Sequence, residues 1–212
     1  RLDDLHGIDL SSFRLGFARP DQPLVYYVGR IVPEKGLQVL VDAVSLVLSE
    51  WPDVKFVIAG TGGYANDLRA KAAALGVADS ILFTGRVPDE VRDSLFKVAD
   101  CAVFPSLYEP FGIVALEAMA AGTPVVVSDV GGLSEVVEMH ETGIKVRPND
   151  PSSLAWGILH TLRNPVWSRQ RAEKASRVAR SEYNWGHIAD LTLKTYERVV
   201  HEAKSGDWAY KT

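Results

Sequence analysis

Cysteine, long apolar runs and excess positive charge are all scarce in this sequence of 212 residues. The single cysteine, Cys101, excludes an intramolecular disulfide framework, and its place within an apolar run favours an inert core residue over a nucleophile. No apolar run reaches the ~18 residues that a membrane-spanning helix needs. The formal net charge of −4 argues against a nucleic-acid binder, whose surface would be basic.

Metal-binding and targeting signals are scarce as well. The five histidines show no metal-ligand spacing, which together with one cysteine argues against a zinc site. No signal peptide is visible, so we expect a cytoplasmic protein. Because the sequence begins abruptly at Arg1 rather than at a methionine, we also expect it to be cut from a longer protein.

Short apolar runs alternate with helical patterns along the chain, six times over, and this alternation predicts a doubly wound, Rossmann-like α/β fold with a parallel six-stranded sheet. We predict an irregular leading segment and linker, then the Rossmann-like domain, then a C-terminal closing helix and tail; these cover residues 1–23, 24–184 and 185–212. The predicted strands are 24–28, 55–59, 81–83, 101–104, 125–128 and 144–146. The predicted helices are about 35–50, 64–75, 88–99, 112–122, 133–138 and 151–163, with two more between 167 and 204.

The most informative stretch runs from Ser106 to Val125. Its pattern places Glu109 in a loop after the fourth strand, and Glu117 one to two turns into a helix that begins at Gly112. A helix start favours anions, and glycine permits close approach of a ligand. Carboxylates beside an anion site suit the neutral hydroxyls of the same ligand, so a sugar nucleotide would satisfy both demands. The spacing alone fits equally well an acidic residue that merely stabilises the helix start.

Arg30 and Lys35 lie in the first strand-to-helix turn, where we predict Lys35 within the first helical turn. A lysine there opposes the helix dipole unless an anion attracts it. Arginine can bind phosphate oxygens in a bidentate manner, and lysine supplies a point charge. Taken alone, however, an exposed charged pair beside Glu34 explains these residues better. The turn at 60–63 matches only half of a dinucleotide-binding motif, so it supports a dehydrogenase weakly.

Seven ordered segments resemble those of one family, the GT-B retaining glycosyltransferases of family 4, which include glycogen, sucrose and lipid-linked glycan synthases. The resemblance covers nearly the full chain and concerns the C-terminal, donor-binding half of those enzymes. The segments are GRIVPEKG at 29–36, FTGRV at 83–87, ADCAVFPS at 99–106, the E-x7-E stretch at 109–117, GTPVV at 122–126, GGLSE at 131–135, and Trp185 with Tyr196. HGID at 6–9 and Phe13 also resemble the family's approach to this half.

By this resemblance, the turn that begins at Gly29 holds the donor diphosphate through Arg30 and Lys35, and these two cations stabilise the departing charge. Glu109 would contact the donor sugar and Glu117 the ribose hydroxyls. Arg30, Lys35 and Glu109 are thus the implied catalytic residues. The other implied binding residues are Val87, through its backbone, for the base, the backbone of Phe111, Gly112 and Ile113 for sugar and phosphate, and Ile113 with Val114 for the nucleotide.

The resemblance also implies partners. The donor is a nucleoside-diphosphate sugar, no metal or cofactor is expected, and an N-terminal domain of the same protein would supply the acceptor site. Peripheral membrane association of the whole protein is a further expectation. The outer face of the closing helix would be exposed without that domain, although we interpret Tyr183, Trp185 and Tyr196 as helix-packing residues. A non-catalytic nucleotide-sugar binding module and a GT-B epimerase stay open as alternatives, as do the base, the sugar and the acceptor.

Overall fold

In the computed structural model, which describes residues 9–206, six parallel strands form one sheet in the order β3-β2-β1-β4-β5-β6. The sheet is doubly wound, as predicted. Five of the six strands keep their predicted bounds, and β3 continues two residues further than expected. The strands are β1 Leu24–Val28, β2 Lys55–Ala59, β3 Ile81–Gly85, β4 Cys101–Phe104, β5 Val125–Ser128 and β6 Ile144–Val146.

The helices lie on both faces of this sheet. Among the described residues they are α1 Leu10–Leu15, α2 Leu37–Glu50, α3 Ala65–Ala74, α4 Asp89–Val98, α5 Ile113–Ala120, α6 Gly131–Val136, α7 Pro151–Arg163, α8 Pro165–Glu182 and α9 Trp185–Ser205. Lys35 is not in the first turn of α2, contrary to the prediction. It ends a short 3₁₀ turn, Pro33–Lys35, and Gly36 then separates that turn from α2 with a left-handed φ of 68°.

The helix α1 also corrects the sequence analysis, which predicted an irregular segment there. The Asp9 carboxylate caps the helix by accepting a hydrogen bond of 3.0 Å from the Ser11 N–H. Arg14 then joins the helix to the base of the sheet, since its guanidinium donates to the carbonyls of Val98 and Gln22 and to the Asp100 carboxylate. These anchors are distant in sequence, which is why the local pattern did not reveal them. His6, Gly7 and Ile8 of the predicted leading motif lie outside the described residues.

Two apolar layers enclose the sheet. Alternate residues of β1 point to opposite faces, so Val25 packs with α2 and α7 whereas Tyr26 packs with α4, α5 and α8. Cys101 is completely buried, as predicted for a core residue. Burial raises the pKa of its thiol, which keeps it protonated and inert.

The last described helix, α9, has no buried residue along its whole length. The side chains of Trp185 and Tyr196 are 86% and 65% exposed, so their interpretation as packing residues is wrong for the described structure. The expectation that this helix presents an exposed face is confirmed. Within residues 9–206, no helix combines the length and the apolar character required to cross a bilayer.

Candidate functional site

The loops that follow β1 and β4 meet where the strand order reverses. In open parallel sheets this reversal leaves a crevice at the carboxyl ends of the strands, and ligands bind there. The Leu107 N–H donates to the Glu34 carbonyl at 2.8 Å, which joins the two loops directly. A Cβ on Gly36 would lie 1.8 Å from the Pro105 carbonyl oxygen, so the backbones are in contact at a point where only glycine fits.

This contact brings Lys35 and Glu109 together across 74 residues of sequence. Their Nζ and Oε2 atoms are 2.6 Å apart, and the two side chains are only 17% and 18% exposed. The Ser106 hydroxyl lies 3.3 Å from the same carboxylate oxygen. Because an ammonium has three donors, the bond to Glu109 leaves Lys35 able to bind an anion as well.

Arg30 lies at the same edge of the sheet but is much more open. Its side chain is 72% exposed and its guanidinium is 3.7 Å from the Glu34 carboxylate. The backbone beneath it is fixed, because the buried Tyr27 hydroxyl donates to the Arg30 carbonyl at 3.0 Å and the Gly29 N–H donates to Ala59 at 3.1 Å. The turn therefore has a rigid backbone and a guanidinium that is free to move towards a ligand.

Glycines after β5 hold the Glu109 loop from its other side. The Gly132 N–H donates to the Glu109 carbonyl at 2.9 Å, and a Cβ on Gly131 would lie 2.2 Å from the same oxygen. Gly112 has a left-handed φ of 93°, and a Cβ there would approach the Leu133 side chain at 2.9 Å. Glycine at position 112 is thus required by the backbone and by packing, in addition to any approach of a ligand.

The start of α5 lies beside this loop. Its first N–H groups have no partner within the helix, so the end carries a partial positive charge. Phe111 and Ile113 are exposed at this end and Val114 is half-buried. The Phe111 ring meets the Tyr183 ring edge-on, with 6.4 Å between the ring centroids. Tyr183, at the end of α8, therefore packs as the sequence analysis predicted.

Glu117 lies further along α5, next to a cluster of charges on α4. The guanidinium of Arg92 is 3.8 Å from Glu117, 2.7 Å from Asp93 and 3.5 Å from Asp89. Burial raises the pKa of Glu117, and the positive charge of Arg92 opposes that rise. Beneath the cluster, the fully buried Tyr26 hydroxyl has no hydrogen-bond partner among the described residues.

Val87 lies in the turn between β3 and α4. Gly60, at the end of β2, joins this region to the β1 turn: its N–H donates to the Gly85 carbonyl at 2.8 Å, and a Cβ on it would lie 1.8 Å from the Gly29 carbonyl oxygen. The loops after β1, β2 and β3 are therefore in direct contact with one another. Val87 immediately precedes the helix that carries Arg92, which connects it to the Glu117 side of the site.

The structure thus brings the residues proposed from sequence to one edge of the sheet, in two groups. The loop group contains Lys35 and Glu109, and the helix group contains Glu117. The sequence analysis did not single out Arg92, although the acidic residues around it on one helical face were visible as a charge pattern. Among residues 9–206, no three histidine, cysteine, aspartate or glutamate side chains gather as a set of metal ligands.

The comparisons with known proteins give the class to which this fold and site belong. The family model described as glycosyl transferases group 1 matches residues 12–181. The chain therefore belongs to the group 1 glycosyltransferase family. It is 41% identical, over 84% of its length, to an uncharacterized glycosyltransferase of Methanocaldococcus jannaschii, and 35% identical, over 90% of its length, to a glycogen synthase of Mycobacterium tuberculosis. It covers 45% and 47% of those proteins, so it spans about half the length of the curated relatives it matches.

Solved structures give the same fold. Sucrose-phosphate synthase from Thermosynechococcus elongatus superposes with a TM-score of 0.78 at 30% identity, over 92% of this chain and 49% of that one. HepE from Anabaena, solved in complex with UDP and glucose, superposes with a TM-score of 0.81 at 26% identity, over 90% of this chain and 52% of that one. These similarities confirm the Rossmann-like α/β fold.

Proposed function

We propose that this chain is the C-terminal, donor-binding half of a retaining, metal-independent glycosyltransferase of family 4. The whole protein would transfer a hexosyl group from a nucleoside-diphosphate sugar to an acceptor held largely by an N-terminal domain. The observation that carries the proposal is the Lys35–Glu109 pair of 2.6 Å, which combines a cation and a carboxylate at the switch point of the sheet.

In this proposal the cations serve the diphosphate. Lys35 is held in place by Glu109, and the exposed Arg30 can turn onto phosphate oxygens in a bidentate manner. The start of α5 supplies unpaired N–H groups to the same anion. A diphosphate gains negative charge as its bond to the sugar breaks, so fixed positive groups bind the transition state more tightly than the ground state.

The carboxylates serve the neutral parts of the donor. Glu109 would accept hydrogen bonds from the sugar and Glu117 from the ribose hydroxyls. The backbone at Val87 would contact the base, and Ile113 with Val114 would line the nucleotide. This assignment explains why two acidic residues lie beside an anion site: each binds hydroxyls, and neither needs to contact the phosphates.

Uracil is the base that we propose, so that the donor is a UDP sugar. HepE, similar in sequence and fold, was solved in complexes named for UDP with glucose and for UDP-glucose. Relatives named as a D-inositol 3-phosphate glycosyltransferase and a phosphatidyl-myo-inositol mannosyltransferase differ in the acceptor that their names give, so our proposal extends to neither the sugar nor the acceptor. Cytoplasmic location and peripheral membrane association of the whole protein stay predictions.

Calorimetric titration of this chain with UDP, GDP and ADP, with and without EDTA, tests the proposal. We expect micromolar to millimolar binding of UDP that EDTA leaves unchanged, and no sugar transfer by this chain alone. Binding of none of the three nucleotides would overturn the proposed function. Loss of binding in EDTA with recovery in magnesium would overturn metal independence.

Lys71→Ala is the matched control for Lys35→Ala. Both lysines form an ion pair of 2.6 Å, but Lys71 pairs with Asp42 between α2 and α3, away from the switch point. Only Lys35→Ala should weaken binding of UDP. Equal losses in both variants would show that the effect arises from general destabilisation.

A further inference from the structure

The charge cluster on α4 lies directly beside the carboxylate to which we assign the ribose. The Nε and NH2 groups of Arg92 both bind the same oxygen of Asp93, at 2.8 and 2.7 Å. Asp93 itself is buried, since only 4% of its surface is exposed to solvent. This double contact fixes the plane of the guanidinium and directs its remaining NH1 group towards Glu117 and Asp89.

The charges around Glu117 would otherwise oppose its ionisation. Burial raises the pKa of Glu117 most, Asp93 and Asp89 raise it further, and Arg92 is the cation that lowers it. A protonated carboxyl would lose part of its capacity to accept hydrogen bonds from two hydroxyls. Burial and the acidic neighbours thus oppose the ionised form of Glu117, and Arg92 favours it.

The distance between the two groups leaves Glu117 available. At 3.8 Å, the NH1 group of Arg92 attracts the Oε1 atom of Glu117 but does not form a hydrogen bond with it. The lone pairs of the carboxylate are therefore free for a ligand, in contrast to the Oε2 atom of Glu109, which Lys35 and Ser106 both contact. An arginine held in this way acts on Glu117 by charge and by orientation alone.

We propose that Arg92 is a positioning residue for the ribose: held by Asp93, it orients the Glu117 carboxylate towards the two ribose hydroxyls from 3.8 Å, without contacting the nucleotide. This inference rests on the proposed function of Glu117. If Arg92 has this role, the site includes α4 and its acidic residues in addition to the residues that contact the nucleotide.

The test compares UDP with 2′,3′-dideoxy-UDP, which lacks both ribose hydroxyls, by calorimetry on this chain. The wild-type chain should bind UDP more tightly than the dideoxy compound. Arg92→Gln should weaken UDP by roughly 10-fold, on the scale of a charged hydrogen bond, and leave the dideoxy compound nearly unchanged. Arg92→Lys should recover part of the preference, because a lysine keeps the charge but not the double contact with Asp93.

Arg163→Gln is the control, since Arg163 forms an ion pair of 2.8 Å with Glu50 between α2 and α7, on the other face of the sheet. It should change neither affinity. Equal weakening of UDP and dideoxy-UDP in Arg92→Gln, or no change in either, would overturn the positioning role. If Arg92→Gln does not fold, Arg92→Lys decides, and an unaltered preference for UDP in that variant would overturn the inference.

The wild-type measurements separate this inference from the proposal beneath it. A wild-type chain that binds no nucleoside diphosphate would overturn the proposed function, and the inference with it. A wild-type chain that binds UDP and dideoxy-UDP equally would overturn the ribose role of Glu117 and the role of Arg92 with it, while nucleotide binding by the chain would stand. A wild-type preference for UDP that survives in both Arg92 variants would overturn only the role of Arg92.

Discussion

The two carboxylates of the E-x7-E stretch are eight residues apart and are held in opposite ways. Glu109 lies in a loop, and Lys35 binds it directly at 2.6 Å. Glu117 lies on a helix, and its cation stays 3.8 Å away. This difference shows that a carboxylate in a loop needs a direct partner and contacts that fix its backbone. The backbone of a carboxylate on a helix is already fixed by the helix. Only the charge and direction of Glu117 then remain to be set, and Arg92 can do this at a distance.

The loop side of the site contains Lys35 and Glu109, and disrupting its backbone contact should have the largest effect on stability. Gly36→Ala places a Cβ 1.8 Å from the Pro105 carbonyl oxygen, at a left-handed φ of 68°. We expect a loss of about 2–5 kcal/mol in the free energy of unfolding, from backbone strain together with overpacking. Urea denaturation measures it, and binding of UDP should fall as the two loops separate.

The control for this change is Gly63→Ala, since a Cβ at Gly63 would meet nothing within 4 Å. Its free energy of unfolding should change by less than about 1 kcal/mol. Similar values for the two variants would show that the contact between the β1 and β4 loops does not hold the Lys35–Glu109 pair.

Removing the cation of the loop side should have the next largest effect. Lys35→Ala takes a charged donor from the diphosphate and leaves Glu109 mostly buried without its partner. We expect UDP to bind about 10- to 100-fold more weakly, and kcat of the whole enzyme to fall by roughly 100-fold. In the double variant Lys35→Ala/Glu109→Ala, stability should recover in part and affinity for UDP should not. Near-normal UDP affinity and kcat in Lys35→Ala would detach this residue from the diphosphate.

The helix side of the site contains Glu117, and Glu117→Gln there should raise stability but lower the affinity for UDP. The pKa of Glu117 is raised, so the folded state holds its proton more tightly than the unfolded state and stability falls as the pH rises through that pKa. Glu117→Gln should therefore be more stable than wild type above the raised pKa and equal to it below the ordinary pKa of glutamate. Its affinity for UDP should nevertheless be lower. A variant less stable than wild type at neutral pH would contradict this account of the helix side.

The smallest effect is expected beneath the helix side, at Tyr26. Its buried hydroxyl has no hydrogen-bond partner among the described residues, while its ring contacts Phe96 edge-on at 5.1 Å. Tyr26→Phe keeps the ring contact, so the free energy of unfolding should stay the same or rise by up to about 1 kcal/mol. A clear loss of stability would indicate that the Tyr26 hydroxyl forms a hydrogen bond. The residues beneath Glu117 would then be held by that bond as well as by ring packing.

The sequence predicted those parts of the fold that depend on local patterns. Apolar runs located all six strands, and residues 151–163 matched the helix α7, because an aspartate cap and a following proline mark its start. The helix α1 was missed because Arg14 fixes it through Val98 and Asp100, which lie far along the chain.

The candidate site shows the same limit. Sequence spacing placed Lys35 and Glu109 at the ends of two strands, but only the strand order makes those strands neighbours. The glycines at 36 and 131 entered the sequence analysis only as parts of the segments at 29–36 and 131–135, whereas their structural role is to let two backbones touch. Arg92 was overlooked because its effect on Glu117 crosses from one helix to another, and no periodicity within either helix encodes it.

Glu109 and Glu117 are assigned to different parts of the donor, the sugar and the ribose. Titration of UDP and UDP-glucose into the wild-type chain, Glu109→Gln and Glu117→Gln tests this assignment most directly. Glu117→Gln should weaken both ligands by the same factor, roughly 10-fold, because both carry the ribose. Glu109→Gln should weaken UDP-glucose and leave UDP nearly unchanged, because only the former carries the sugar. Equal losses of UDP and UDP-glucose in both variants would contradict the account.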